Sequence, residues 1–396
     1  MTTARPVVNT HVHVPPNFSA FDDVEDVVAT AAREGASVIG ASNFHDHRVY
    51  RRFADRARAA GILPLFGLEY ITVVETLRVA GTRVNDPANP GRMYLCGKGV
   101  DPFREPSALA LELDAPARAT NRARAARMTE RLAAMFAEAG VPTGLDDTAI
   151  VADVAARAGV PADWVVLQER HLAMAFQGAL FAACAPDERA GVLERLYGAP
   201  STVPADAATA VQGEIRSRLM KAGGPAFAEE TALTFESAYR LVLEWGGIPC
   251  YPTLADGTSP VCPFEDGPAD LAARLGELGI HAAELIPVRN APEVAAAYIR
   301  AFRAAGIIVT AGTEHNTPER IPLQPLAKGG TELPDDVVAT LYEGACVVAG
   351  HQAELAAGRP GYVDPDGRPG PGPREAWITR FAAIGAAAIE QRSTAG

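Results

Sequence analysis

The chain has 396 residues, 48% of them hydrophobic, enough for a large buried core and more than one compact unit comfortably holds. A formal charge of -12 and a pI near 5.2 argue against a nucleic-acid polymer as partner, because neutralising phosphates needs a basic face. Five scattered cysteines, Cys96, Cys184, Cys250, Cys262 and Cys346, lack CxxC spacing and read as small buried apolar residues rather than a disulfide framework or zinc ribbon; with neither a leader before Val7 nor a bilayer-length apolar run, the cytoplasm and no membrane partner are expected.

Residues 6–10 read as a strand ending at His11-Val12-His13. Residues 37–43 read as a second, ending at His45-Asp46-His47, and 63–68 as a third, ending at Glu69. Between them Val24, Val27, Val28 and Ala31, then Phe53, Ala54, Ala57 and Ala60, recur at helical spacing. This βαβαβ run predicts a parallel sheet or barrel with its polar clusters at one mouth. Strand alternation sends both rings of His11-x-His13 to one side, where two imidazoles can grip one ion, and Glu69 can bridge two ions. A lone HxH is weak, but three such strand ends in succession predict a metal site.

From Val73 to Val100 the signals are loop-like, with turn formers at Asn85-Asp86-Pro87 and Asn89-Pro90-Gly91, and the short apolar run Met93-Tyr94-Leu95-Cys96-Gly97 reads as a hairpin or fourth strand. From about 106 to 230 helical patterns take over, which predicts an inserted subdomain. Arg122, Arg124, Arg127 and Arg131 read there as a solvated helix face. After Thr234 the alternation resumes, with strands predicted at 248–252, 281–286 and 307–312, the last ending at Thr313-Glu314-His315-Asn316. A closing helix over 335–354, a Pro/Gly-rich connector over 359–373 and a terminal helix over 374–391 complete the chain.

His11-Val12-His13, Phe44-His45-Asp46-His47 and Gly67-Leu68-Glu69 resemble, in order, the HxH, Thr-Asp-His and Gly-Ile-Glu strand ends of the PHP (polymerase and histidinol phosphatase) domain. Arg170-His171-Leu172-Ala173 resembles the Arg-Pro-His-hydrophobe-Ala element of that family's helical insert, and the strands ending near Tyr251-Pro252, Glu284 and Glu314 resemble its later strands. The resemblance implies a distorted (β/α)7 TIM-like barrel with an inserted helical subdomain: barrel over 1–105 and 231–357, insert over 106–230, connector and last helix over 358–396. It also implies metal-dependent hydrolysis of a phosphomonoester or phosphodiester of a small metabolite or nucleotide.

On this basis His11, His13, Glu69 and Glu314 are expected to share one ion, and His47 to bind a second with His45, His315 or a carboxylate. One or two divalent ions, Mn, Fe or Zn, suit such mixed ligands. Arg170 is expected to meet an anionic substrate group, Asp46 to orient water, and His171 to protonate the leaving oxygen or simply to pack. The chain departs from the family where Tyr94 and Tyr251 replace two histidines. A third ion is then expected to be weak or absent, the hydroxyls contacting substrate or the rings packing beneath the site. Asn316 is the alternative to His315, Asp22 or Asp23 is a further candidate ligand, and the role of Glu284 stays open. Two other readings are kept: a metal-dependent enzyme acting on a non-phosphorylated, sugar-acid type metabolite, and a binding domain without catalysis.

Overall fold

The computed structural model describes residues 7–229 and 232–393. The expected boundary at 230–231, the start of the first strand at Pro6 and the chain ends at 1–6 and 394–396 lie outside them. The first stretch runs β1 (Val7–Val12), α1 (Val24–Arg33), β2 (Ala36–Phe44), α2 (Tyr50–Ala59), β3 (Leu63–Val73), α3 (Glu75–Val79) and β4 (Arg92–Lys98). A helical stretch follows: α4 (Ala108–Glu138), α5 (Asp147–Ala158), α6 (Glu169–Ala183), α7 (Pro186–Tyr197) and α8 (Ala208–Ile215). The chain then returns through β5 (Leu233–Thr234), α9 (Phe235–Glu244), β6 (Ile248–Thr253), α10 (Pro268–Glu277), β7 (Ala282–Leu285), α11 (Pro292–Ala304) and β8 (Ile308–Ala311). It ends in α12 (Asp335–Ala356) and α13 (Arg374–Ser393).

The crossover helices form where the apolar spacing demanded them. α1 buries Val24, Val27, Val28 and Ala31 on one face, and Asp23 caps it by accepting the Asp26 N–H at 2.8 Å. The strands order as β1-β2-β3-β4-β6-β7-β8, with β5 a short addition beside β3. All neighbours are parallel except β4, which runs antiparallel to β3 and β6. A parallel bridge from Glu314 to Val12 brings the end of the path back to β1, so the sheet is a nearly closed, TIM-like barrel.

The reversed direction of β4 matters for the site. Its early residues lie at the mouth, Tyr94 opposite Ile71 and Cys96 opposite Glu69. Alternation then puts Cys96 and Lys98 on the same face as Tyr94, toward the interior. On β6 the inward residues are Ile248 and Cys250, on β7 Ala282 and Glu284.

The barrel's lower end is sealed with apolar side chains. Ile248, Cys250, Ala282 and Ile308 pack against Val347 of α12 and Phe381 of α13, while Val38 and Leu65 meet Cys346 and Val348. The two closing helices cross tightly, and a Cβ on Gly385 would lie 1.8 Å from the Cys346 carbonyl. The helices from α4 to α8 keep a separate core around Met128, Leu132, Phe136, Phe176 and Leu193. No helix among the described residues is long and apolar enough to cross a membrane.

Candidate metal centre

Three side chains converge at the mouth. Ligand atoms of His11, His13 and Glu69 lie within 4.8 Å of one another, with His13 Nε2 3.3 Å from Glu69 Oε2. Both histidines are buried, and the Nε2 atoms of both make no hydrogen bond to the described residues. Buried polar atoms are ordinarily paired, so two orphaned imidazole nitrogens beside a carboxylate have the donor chemistry of a divalent-ion site.

The remaining ring nitrogens explain why Nε2 is the free one. His11 Nδ1 lies 2.6 Å from Glu284 Oε2. Burial would raise the Glu284 carboxyl, yet Lys98 and then His11 pull it to about 2, so Nδ1 carries the proton and Nε2 the lone pair. His13 Nδ1 meets Asn17 Oδ1 at 3.2 Å. The Asn17 amide cannot be the other way round, because its oxygen also accepts the Phe44 N–H at 2.9 Å and its nitrogen donates to the Phe44 carbonyl at 3.1 Å. Burial alone would lower the pKa of His13; the Glu69 and Glu314 carboxylates reverse that and raise it. A field that favours a proton there favours a cation equally.

Above the cluster lies a cavity of about 450 Å³ lined by His13, Glu69, Tyr94, Arg170, Arg289, Glu314 and Asn316 among others. Its far wall is basic. Glu169 takes Arg124 at 2.6 Å, Lys221 at 2.6 Å and Arg216 at 3.1 Å; burial would raise its carboxyl, but Lys221 and Arg124 pull it to about 2. The Arg170 guanidinium makes no hydrogen bond or ion pair with the described residues, and burial followed by the neighbouring Arg216 pushes it down to about 10. Arg124 is therefore not on a solvated face: it is buried, held by Glu169 and the Ala228 carbonyl.

The other expected ligands are not part of that cluster. His45 adopts a left-handed φ of 56° and turns out of the barrel against Phe44 and Tyr70. His47 packs edge-on to Trp245 in a separate cleft of about 970 Å³ lined in part by α4 and α5, and burial lowers it to about 4. That cleft is the larger of the two, but among the described residues neither His45 nor His47 belongs to a group of three or more converging ligand atoms; His45 Nδ1, also buried without a hydrogen bond, has a single carboxylate near it, Asp114 at 3.9 Å. Asp46 is bound by Arg48 and Arg118, at 2.5 and 2.8 Å, which leaves it no face toward the cavity. Glu314 is clasped by both Arg289 nitrogens and by Asn316, and burial's upward push is overcome by Arg289, which takes it to about 2.

His315 uses both ring nitrogens, on the Thr313 hydroxyl at 2.7 Å and the Ile321 carbonyl at 2.9 Å, so neither is left for an ion. Asp23 caps α1 and Asp22 meets Arg320. His171 accepts the Gln168 N–H at 3.0 Å in the cap of α6, bonds the Pro16 backbone and is lowered by burial to about 3. With Gln168 Oε1 taking the Phe18 N–H at 2.8 Å, it clamps the start of α6, and so Arg170, over the loop that follows His13. Tyr251 is fully buried and donates to Glu265 at 2.8 Å on the outer side of β6, whereas Tyr94 lines the cavity. The residues not anticipated are Lys98, Arg289 and Asn17. For Lys98 a signal existed: a charge at strand period from Tyr94 and Cys96 in an otherwise apolar run.

Among solved structures, a Bifidobacterium adolescentis protein assigned as a metal-dependent phosphoesterase matches with a TM-score of 0.56 and 16% identity, covering 86% of this chain and 97% of its own. An amidohydrolase from Chromobacterium violaceum, solved with bound sulfate and no metal, matches with a TM-score of 0.48 and 13% identity over 84% of this chain and 96% of its own. The first likeness shows a shared fold; the second is too distant to add to it. No family model and no curated protein matches the sequence.

Proposed function

We propose that this chain is a metal-dependent phosphoesterase acting on a small anionic substrate in the cavity above His11, His13 and Glu69. The observation that carries the reading is the pair of buried Nε2 atoms that make no hydrogen bond to the described residues, that of His13 3.3 Å from Glu69 Oε2, at the foot of a cavity whose wall offers Arg170, a guanidinium without a hydrogen bond or ion pair to the described residues. The PHP-like motifs agree with it. A fold shared with a protein assigned as a metal-dependent phosphoesterase is consistent with it but does not carry it.

A Mn, Fe or Zn ion at this cluster would supply Lewis-acid polarisation of a phosphoryl oxygen and activation of water. The chain's own residues do the rest. Arg170 presents a fork matched to phosphate oxygens, and its partial desolvation strengthens its preference for an anion. The Glu169 cluster joins three cations to one carboxylate and leaves that wall positive despite the chain's overall negative charge. Arg289 holds Glu314 beside the histidines. Asp46 and His171 receive no catalytic role, because neither faces the cavity.

The test is a screen of chelator-stripped protein reloaded separately with Mn, Fe or Zn against phosphomonoesters and phosphodiesters. Metal-dependent phosphate release is expected. Turnover of non-phosphorylated esters or lactones instead, with phosphate analogues failing to compete, would replace the phosphoester reading with the sugar-acid type.

A further inference from the structure

Among the described residues two groups of ligand atoms overlap: His11, His13 and Glu69 facing the cavity, and His11, Cys96 and Glu284 one layer deeper. His11 belongs to both, so the nitrogen it offers decides which group can act. Nδ1 faces the deeper carboxylate at 2.6 Å, and Nε2 faces the mouth. A neutral imidazole has a single ring lone pair, and cannot serve both groups at once.

The deeper group already has a cation. Lys98 Nζ contacts Glu284 Oε1 and lies 3.3 Å from the Thr10 carbonyl; the lysine side chain is 2% exposed and that of Glu284 0%. A fully buried ammonium persists only when a carboxylate and hydrogen bonds replace its water, and Glu284 with the Thr10 carbonyl does this. Two residues before Lys98 on the same face of β4 is Cys96, and Cys250 of β6 stands opposite it in register. Without the ammonium, the carboxylate of Glu284, an imidazole nitrogen of His11 and the Cys96 sulfur would converge with no cation beside them, a donor set suited to Zn or Co.

Resting on the reading of His11, His13 and Glu69 as metal ligands, we propose that Lys98 is a built-in cation that closes a second metal site. Its ammonium takes Glu284 Oε1, the carboxylate of the His11, Cys96 and Glu284 group, leaves Oε2 on His11 Nδ1–H, and so commits His11 Nε2 to the ion at the mouth. Sulfur is thereby excluded from the ligand set. Lys98 is a positioning residue, acting on the ion through Glu284 and His11.

Titration of chelator-stripped protein with Co(II), followed by absorption spectroscopy and equilibrium dialysis, tests this. Wild-type protein is expected to bind cobalt without a sulfur-to-cobalt charge-transfer band. Lys98→Ala is expected to gain that band, and Lys98→Ala with Cys96→Ser to lose it again. Lys98→Met keeps the buried volume without the charge and guards against a folding failure of the alanine variant. It is expected to bind cobalt at least about tenfold more weakly, the scale of losing a group that orients a ligand. A charge-transfer band in wild-type protein, a folded and cobalt-loaded Lys98→Ala with the wild-type spectrum, or unchanged cobalt affinity in Lys98→Met overturns the proposal. Absence of cobalt binding by wild-type protein would instead remove the reading of the mouth as a metal site, and the proposal with it.

Discussion

His11-Val12-His13 and His45-Asp46-His47 are spelled almost alike, and they close two neighbouring parallel strands of the same sheet, yet the structure uses them in opposite ways. β1 stays extended through Val12, so His11 and His13 project together into the mouth, their Nε2 atoms without a hydrogen bond to the described residues. β2 ends at Phe44, and His45 at once takes up a left-handed backbone, which breaks the alternation. Asp46 and His47 then turn to the barrel's outer side, the first into an arginine pair and the second against Trp245. Residue type nominates a ligand; the backbone beyond the last ladder bond decides whether it arrives.

The largest expected effect separates the two regions by metal content. His11→Ala and His13→Ala should each weaken metal binding by at least ~100-fold, to near-zero occupancy after dialysis, while His45→Ala and His47→Ala retain the wild-type stoichiometry. Equal loss in both pairs would break the contrast.

Next in size is Asp46→Ala, which leaves Arg48 and Arg118 without their shared carboxylate. About 2–3 kcal/mol of stability should be lost, less than for a wholly buried pair because both arginines are about a third exposed. Denaturant unfolding reads the loss, and metal stoichiometry should not move.

Arg170→Ala should raise KM for a phosphoester by roughly 10- to 30-fold, with metal retained, from the loss of one charge-assisted contact. A change confined to kcat would remove this residue from substrate binding.

The smallest effect is pH-dependent. Glu169 has a pKa pulled below its unfolded value by Lys221 and Arg124, so its contribution is complete above about pH 4.5 and is lost as pH falls toward 2. About 1–2 kcal/mol is expected after allowing for solvent around Lys221, and Glu169→Gln should flatten that part of a melting-temperature profile.

What could be read from the chain alone follows the range of the interactions. Helices α1 and α2, the strands β1, β2 and β3 around them and the nearness of His11, His13 and Glu69 are local patterns of spacing and alternation, and these were legible. Whether Arg170 on α6 meets the mouth depends on the clamp that His171 and Gln168 make with the loop at Pro16 and Phe18, some 150 residues away. Lys98 and Glu284 meet across 186 positions, and no spacing rule connects them. Tyr251 shows a subtler limit. Its strand was foreseen, but the face it presents depends on register with β4 and β7, and one position decides between cavity and outer core. Left-handed residues at His45, Glu314 and His315 had no glycine to mark them, so their side-chain directions were hidden.

The most direct test of the account is where an ion binds. Crystals of the protein soaked with manganese or zinc and measured for anomalous scattering should show a peak roughly 2.0–2.3 Å from both His11 Nε2 and His13 Nε2, with Glu69 alongside. A principal peak beside His45 or His47 with none at His11 would contradict it.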